Sequence, residues 1–160
     1  MRSNGSLIRP VKKRKTFAYG PKLGRAAKRA WVCDDCGHWH DVKPAGMKKG
    51  RRLCDLCGGH ARHFQSRIEA ARSMELRLLQ GAGEIGSLQY QPRFPLDVAS
   101  PDGAVKNFGA YIADFQYTDY RASPPITRIE DVKGSETEMS DFRRRLAEWL
   151  HGVTIDLVKR

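Results

Sequence analysis

The four cysteines of this chain fall into two pairs, Cys33-Asp34-Asp35-Cys36 and Cys54-Asp55-Leu56-Cys57, with seventeen residues between them. A two-residue gap lets both thiolates of a pair bend onto one tetrahedral ion. Gly37 and Gly58 follow the pairs where the chain must turn sharply. The spacing predicts a four-cysteine zinc site, and closed four-sulfur coordination makes that zinc structural rather than catalytic. Two disulfides are the alternative, disfavoured in the reducing compartment expected for a chain with no secretion signal. His38, His40, His60 and His63 flank the site as substitute ligands.

A second group of residues lies in the back half, in Tyr111-Ile112-Ala113-Asp114-Phe115 and Ile129-Glu130-Asp131-Val132-Lys133-Gly134. Both segments read as strands. Alternation puts Asp131 and Lys133 on one face and Glu130 and Val132 on the other. If the strands are neighbours, Asp114 and Asp131 meet, and a preceding helix brings Glu69 as a third carboxylate. Such a cluster suits Mg²⁺ or Mn²⁺, and a lysine beside it can orient a water or balance developing negative charge. Spacing alone also permits a plain surface ion pair between Asp131 and Lys133.

Several elements must position these groups. Phe64, Ile68, Ala71, Leu76 and Leu79 recur near a 3.6-residue period, predicting a helix over 64–80 stopped by Gly81 and Gly83. Residues 85–98 read as a strand or bent hairpin arm interrupted by Pro92 and Pro95. Asp102-Gly103 is a turn, 108–117 a strand, Ser123-Pro124-Pro125 a loop and 126–132 a further strand. Ser140 or Asp141 is placed to cap a helix running to His151, which Gly152 ends, and a strand over 153–158 follows. The order helix, three strands, helix, strand is an α/β layout with one mixed sheet. It divides the chain into a basic arm (1–30, with a short helix near 25–30), a zinc ribbon (31–63) and an α/β domain (64–160). Trp31 and Trp39 serve as the ribbon's small core or as base-stacking platforms.

The charge is unevenly distributed. The 160 residues carry a formal +11 with a pI near 9.8. Residues 1–62 hold 16 Lys and Arg against 4 Asp and Glu, a net of +12, so the remainder carries −1. A polyanion is the expected partner, nucleic acid ahead of an anionic membrane surface. Lys12, Lys13, Arg14 and Lys15 in the arm and Lys48, Lys49, Arg51 and Arg52 between the cysteine pairs are the candidate phosphate contacts. Gly46 and Gly50 are expected to make the second group a flexible loop. The arm is alternatively a solvated tail. No apolar run reaches the roughly 18–20 residues of a membrane span, so a soluble, cytoplasmic protein is expected.

The ordered pattern Glu69, Ala113-Asp114-Phe115, Asp131-Val132-Lys133 resembles the PD-(D/E)XK nuclease superfamily. The stretches Phe64-Gln65-Ser66-Arg67-Ile68-Glu69-Ala70, Leu88 to Phe94, Tyr111 to Phe115 and Glu130 to Gly134 are similar to small phage-encoded nucleases of the Holliday-junction-resolvase type. The resemblance spans about 63–158 and leaves the zinc module as an addition. It implies a restriction-endonuclease-like αβββαβ core and Mg²⁺-dependent cleavage of branched DNA by a homodimer, with no small-molecule cofactor. It further implies that Asp114, Asp131 and the Val132 carbonyl bind the metal, that Lys133 activates water, and that Glu69 completes the site. Asp131 replaces the commoner glutamate, and Glu130 next to it is an alternative ligand. Glu75 is an alternative to Glu69. Gln89 and Gln91 are placed to touch metal-bound water or DNA, or are ordinary polar strand residues.

Overall fold

The computed structural model describes residues 29–41, 43–133 and 135–159. The arm residues Lys12, Lys13, Arg14 and Lys15 lie outside them. Ala30, expected at the end of a short helix, instead opens the first strand.

In chain order the elements are β1 (Ala30–Cys33), β2 (Trp39–His40), β3 (Met47–Lys48), β4 (Arg51–Arg52), β5 (Ala61–Phe64), α1 (Arg67–Gly81), β6 (Ile85–Tyr90), β7 (Arg93–Ala99), β8 (Val105–Ile112), β9 (Phe115–Asp119), β10 (Ile126–Lys133), α2 (Glu138–His151) and β11 (Ile155–Lys159). The architecture is mixed α/β. A four-stranded sheet runs β11-β10-β9-β6, with β10 parallel to β11 and the other pairings antiparallel. Small sheets β2-β1-β5, β3-β4 and β7-β8 complete it.

The expected helix starts later than its apolar period suggests, because Phe64 ends β5 instead. Ser66 caps α1, its hydroxyl accepting from the Glu69 N–H at 3.1 Å. The second helix is capped by Thr137, one turn earlier than Ser140 or Asp141, and ends at Gly152 in the left-handed conformation. An N-cap oxygen must reach an N–H two or three residues on, and Thr137 reaches that of Ser140 at 3.2 Å.

The two expected strands of the back half are both broken at the same level. β6 with β7 and β8 with β9 form one long hairpin that kinks where Gln91-Pro92 faces Ala113-Asp114. Across the kink the Gln91 N–H donates to the Asp114 carbonyl at 3.0 Å, and the Ala113 N–H to that of Pro92 at 3.2 Å. Proline has no N–H for a regular ladder, so the ladder is interrupted there. Gln91 adopts φ 53°, a left-handed conformation that costs a non-glycine residue about 1–2 kcal/mol. Asp114, released from the hairpin, donates its own N–H to the Glu130 carbonyl of β10 at 3.0 Å.

Two cores hold the elements. One gathers Ala30, Val32 and Phe64 of the small sheet with Ala70 and Leu76 of α1, Ile85, Phe115 and Tyr117. The other gathers Phe94, Leu96, Tyr111, Ala113, Ile129, Ala147 and Ile155 around α2. Thus the strands that frame the cysteines share one core with the α/β part across position 63.

Glu130 fixes α1 to the sheet. Its buried carboxylate takes two hydrogen bonds from Arg72, at 2.8 and 2.7 Å, and one from the Tyr117 hydroxyl at 2.7 Å. Arg72→Ala would leave that carboxylate buried without its counter-charge, a loss of about 3–5 kcal/mol. Urea denaturation of the zinc-loaded protein should show a clearly lower midpoint for this variant, with a milder loss when Glu130→Gln is added.

Candidate functional site

At the cysteine cluster the two pairs meet in mirrored turns. Gly37 donates to the Cys33 carbonyl at 3.0 Å and Gly58 to that of Cys54 at 2.9 Å, both glycines having φ near +70°. That left-handed backbone is what the turn after each pair requires. The four sulfurs lie within 4.8 Å of one another, with Cys33–Cys57 at 3.5 Å, Cys36–Cys54 at 3.7 Å and Cys36–Cys57 at 3.4 Å. A disulfide needs about 2.05 Å, whereas four thiolates at about 2.3 Å from a central ion stand near 3.8 Å apart. The cluster therefore fits a structural Zn²⁺ and not two disulfides.

Backbone donors already serve the sulfurs. Burial raises the Cys33 thiol, but the N–H groups of Cys36 and Asp35, together with the Cys57 and Cys36 thiols, bring it down to about 7. His40 is not needed as a ligand; its buried ring sits 3.3 Å from the Cys54 sulfur. His60 and Arg62 both bind Asp34, at 2.6 and 3.0 Å. Arg77 of α1 donates to the Cys33 carbonyl at 2.7 Å and also to that of Asp34. The first cysteine turn is thereby clamped to the helix that carries Glu69.

Between the pairs, β3 and β4 pair Met47 with Arg52 and Lys48 with Arg51. Lys49 and Gly50 have φ of 48° and 76°, the two positive values of a tight primed turn. The expected flexible loop is therefore a hairpin. Lys48, Lys49 and Arg51 are exposed on it, and Arg52 is half-buried with one donor on the Pro44 carbonyl. Trp39 packs against the first core, and Trp31 meets His63 at 4.6 Å between ring centroids with the rings tilted by 46°.

The second site lies at the kink. Asp114 turns its side chain onto β10, accepting the Val132 N–H at 2.7 Å. N–H and C=O of one strand residue project to the same edge, so the Val132 carbonyl faces that side as well. Asp131, fully buried, accepts from the Tyr111 hydroxyl and lies 3.1 Å from the Lys133 amine. Glu69, also buried, accepts the Gln65 N–H at 3.1 Å. In all three carboxylates one oxygen is held by a protein donor. The Ser66 amide also approaches Glu69, and Asp114 and Asp131 lie close enough for their carboxyl groups to share a proton.

The negative charge is crowded. Asp114 is pushed up to about 7, first by burial and then, against the Val132 N–H, by the charges of Glu69 and Asp131. Glu69 is raised by burial, with Asp131 contributing and the N–H bonds opposing. Such groups are stabilised by a cation, and hard oxygen donors of this kind are those a divalent ion of the Mg²⁺ class takes. The carboxylates stand further apart than the cysteines: among the described residues only the sulfur cluster brings three or more ligand atoms within 4.8 Å.

The alternatives left by the sequence separate cleanly. Glu130 is engaged by Arg72 and Tyr117 on the α1 face, and Glu75 by Arg72 at 3.0 Å. Gln89 and Gln91 are exposed, and Gln91 touches the site through its backbone. Tyr111, which orients Asp131, was not singled out from the sequence; a tyrosine three residues before Asp114 is the only local hint.

Residues 59–153 match a family described as a protein of unknown function, DUF1064. The match covers more than half of the chain, which belongs to that family. Neither the curated proteins nor the solved structures contain a match. None of the described helices is long and apolar enough to cross a membrane.

Metal analysis should find one zinc per chain, and Cys54→Ser should lose it. Because Arg77 ties the cysteine turn to α1, that variant should also lower the helical signal in far-UV circular dichroism. A Cys54→Ser protein with unchanged helicity and melting temperature would show that the turn does not support α1.

Proposed function

We propose that this chain is a divalent-metal-dependent endodeoxyribonuclease with a restriction-endonuclease-like core, cutting branched DNA, four-way junctions first, as a homodimer. One observation carries the reading: two buried carboxylates, Glu69 and Asp131, and the half-buried Asp114 crowd their charges near a strand kink, with Lys133 3.1 Å from Asp131 and, among the described residues, no arginine on any of the three. A structural acid cluster would be neutralised by arginine, as Glu130 is.

In this reading Asp114, Asp131, Glu69 and the Val132 carbonyl hold Mg²⁺ or Mn²⁺. When bound, the ion neutralises the scissile phosphodiester and acidifies water. The chain's own groups do the rest. Lys133 places its ammonium 3.1 Å from Asp131, where it can bind the attacking water or a phosphate oxygen and balance charge as the P–O bond breaks. Tyr111 keeps Asp131 pointed into the site. Lys48, Lys49, Arg51 and Arg52 grip neighbouring phosphates, so affinity falls steeply with salt. The arm residues Lys12, Lys13, Arg14 and Lys15 belong to the same proposed grip.

A second reading, a zinc-ribbon nucleic-acid-binding protein without catalysis, is favoured by one feature. Glu69 and Ser66 exchange hydrogen bonds with backbone around the α1 N-terminus in the manner of a capping box, which by itself accounts for both residues.

Purified zinc-loaded protein with labelled four-way junction and matched linear duplex separates these readings. The expected outcome is Mg²⁺-dependent, paired cutting of the junction. Asp131→Asn should lower it by about three orders of magnitude, roughly 4 kcal/mol of barrier, without weakening binding. Tyr111→Phe, which keeps the ring, should raise the Mg²⁺ needed for half-maximal cutting about 10- to 100-fold. Equal cutting of both substrates would make it a nicking or duplex nuclease, and tight binding without cutting would favour the binding protein.

A further inference from the structure

The largest unexplained feature is an apolar face on the side of α2 that turns away from the core. Ala147 is fully buried against the sheet and Leu150 packs beside it. Met139, Phe142, Leu146 and Trp149 recur at intervals of three, four and three residues, the spacing of a second stripe along one helix. In that stripe Met139 is 66% exposed, Phe142 56% and Trp149 76%. The stripe continues across β8, where Phe108 and Ile112 are also exposed. Between helix and hairpin lies an open groove of about 540 Å³, walled by apolar side chains of Leu96, Val98, Phe108, Met139, Phe142 and Leu146 and by one charged residue, Arg143.

We infer that this face is the contact between two copies of the chain, packed about a two-fold axis with their α2 helices antiparallel. Three observations select a second copy over other occupants. First, charge permits it. Residues 1–62 carry a net of +12, but the remainder carries −1, and α2 itself has three acids (Glu138, Asp141, Glu148) against three arginines (Arg143, Arg144, Arg145). Two copies meet here without net charge repulsion, the Arg143 that lines the groove being tied to the Ala110 carbonyl at 3.1 Å, whereas a polyanion finds no net attraction on this helix.

Second, the face is self-complementary. It offers both a groove and a projecting side chain, Trp149, seven residues or about 10 Å along the helix from Phe142. A two-fold axis near Leu146 sets each Trp149 against the other copy's Phe142 at the mouth of the groove, as an isologous contact requires. Third, the area suffices. Phe108, Ile112, Met139, Phe142 and Trp149 leave on the order of 500 Å² of apolar surface exposed, the core of an interface needing about 800 Å² per partner with its polar rim.

The inference rests on the proposed nuclease reading only for its purpose, two sites held in fixed relation for paired cuts. The association itself is independent of cleavage. Ile112 and Met139 line a second hollow with Tyr111, the residue that holds Asp131, so the contact lies directly beside the carboxylate site.

Light scattering coupled to gel filtration of the zinc-loaded full chain, at about 50 µM and in both low and high salt, tests it. The expected mass is twice 18.1 kDa, unchanged or firmer at high salt, as apolar contacts are. Trp149→Glu and, separately, Phe108→Glu should run at 18.1 kDa with unaltered circular dichroism and zinc content. Both sites are exposed, so neither change should unfold the protein. A wild-type monomer under these conditions overturns the inference, as does a dimer that survives both substitutions. Cleavage of junctions by a monomer would leave the metal-dependent nuclease standing while removing this contact and the homodimer with it, and a dimer that never cuts would do the reverse.

Discussion

A carboxylate taken out of water must find a positive charge or donors enough to replace it, and the sheet of this protein is organised around that requirement. Glu130 has Arg72 and Tyr117. Asp119 has Arg121 at 2.8 Å and Arg128 at 2.9 Å, which together hold it far below the usual carboxylate range. These two acids are satisfied and join elements. Glu69 and Asp131, buried, and Asp114, half-buried, sit in the same sheet and helix, yet have between them one lysine and a few single donors. The difference between the two groups sorts structural acids from candidate functional ones. It does so by what surrounds each acid rather than by its place in a motif.

The same constraint explains why α1 is central. Its first turn supplies Glu69, its second Arg72, and its third Arg77. Those three residues reach respectively the carboxylate site, the satisfied acid of β10 and the carbonyls of the first cysteine turn. Arg62 on β5 adds a further link, gripping Asp34 near the cysteines while its guanidinium stacks 4.0 Å over the Tyr90 ring. The four-cysteine turns and the acid cluster are therefore tied to one helix. The shared core of Val32, Phe64, Leu76 and Phe115 is its apolar counterpart.

What was legible in the sequence is what depends on near neighbours. The cysteine pairs, their glycines and the alternation that puts Asp131 with Lys133 are consequences of spacing over two to four residues. The mixed α/β order and most element positions follow from periodicity. The rest depends on distant partners. Arg72 meets Glu130 across 58 residues and Tyr111 meets Asp131 across 20, and neither pair has a local signature. The kink at Asp114 was hidden because aromatic and β-branched residues continue through it on both strands; only Pro92 marks the level, and it does so on the partner strand. The basic residues between the cysteine pairs looked like a loose loop because two glycines flank them, whereas Gly50 is the second residue of a tight turn.

The adjacency of Glu130 and Asp131 gives the last step. Strand alternation sends neighbours to opposite faces, so each acid answers to a different layer. The acid on the α1 face must span the distance to a helix and take both arms of a guanidinium. The longer glutamate suits that task. The acid on the other face, itself 2% exposed, lies between Tyr111 and Lys133, and the shorter aspartate fits there. Exchanging the two would shorten the reach to Arg72 and place a longer acid against the Tyr111 hydroxyl. The order glutamate then aspartate at 130 and 131 is then a consequence of the two layers, with the Asp131 carboxylate held in place by Tyr111.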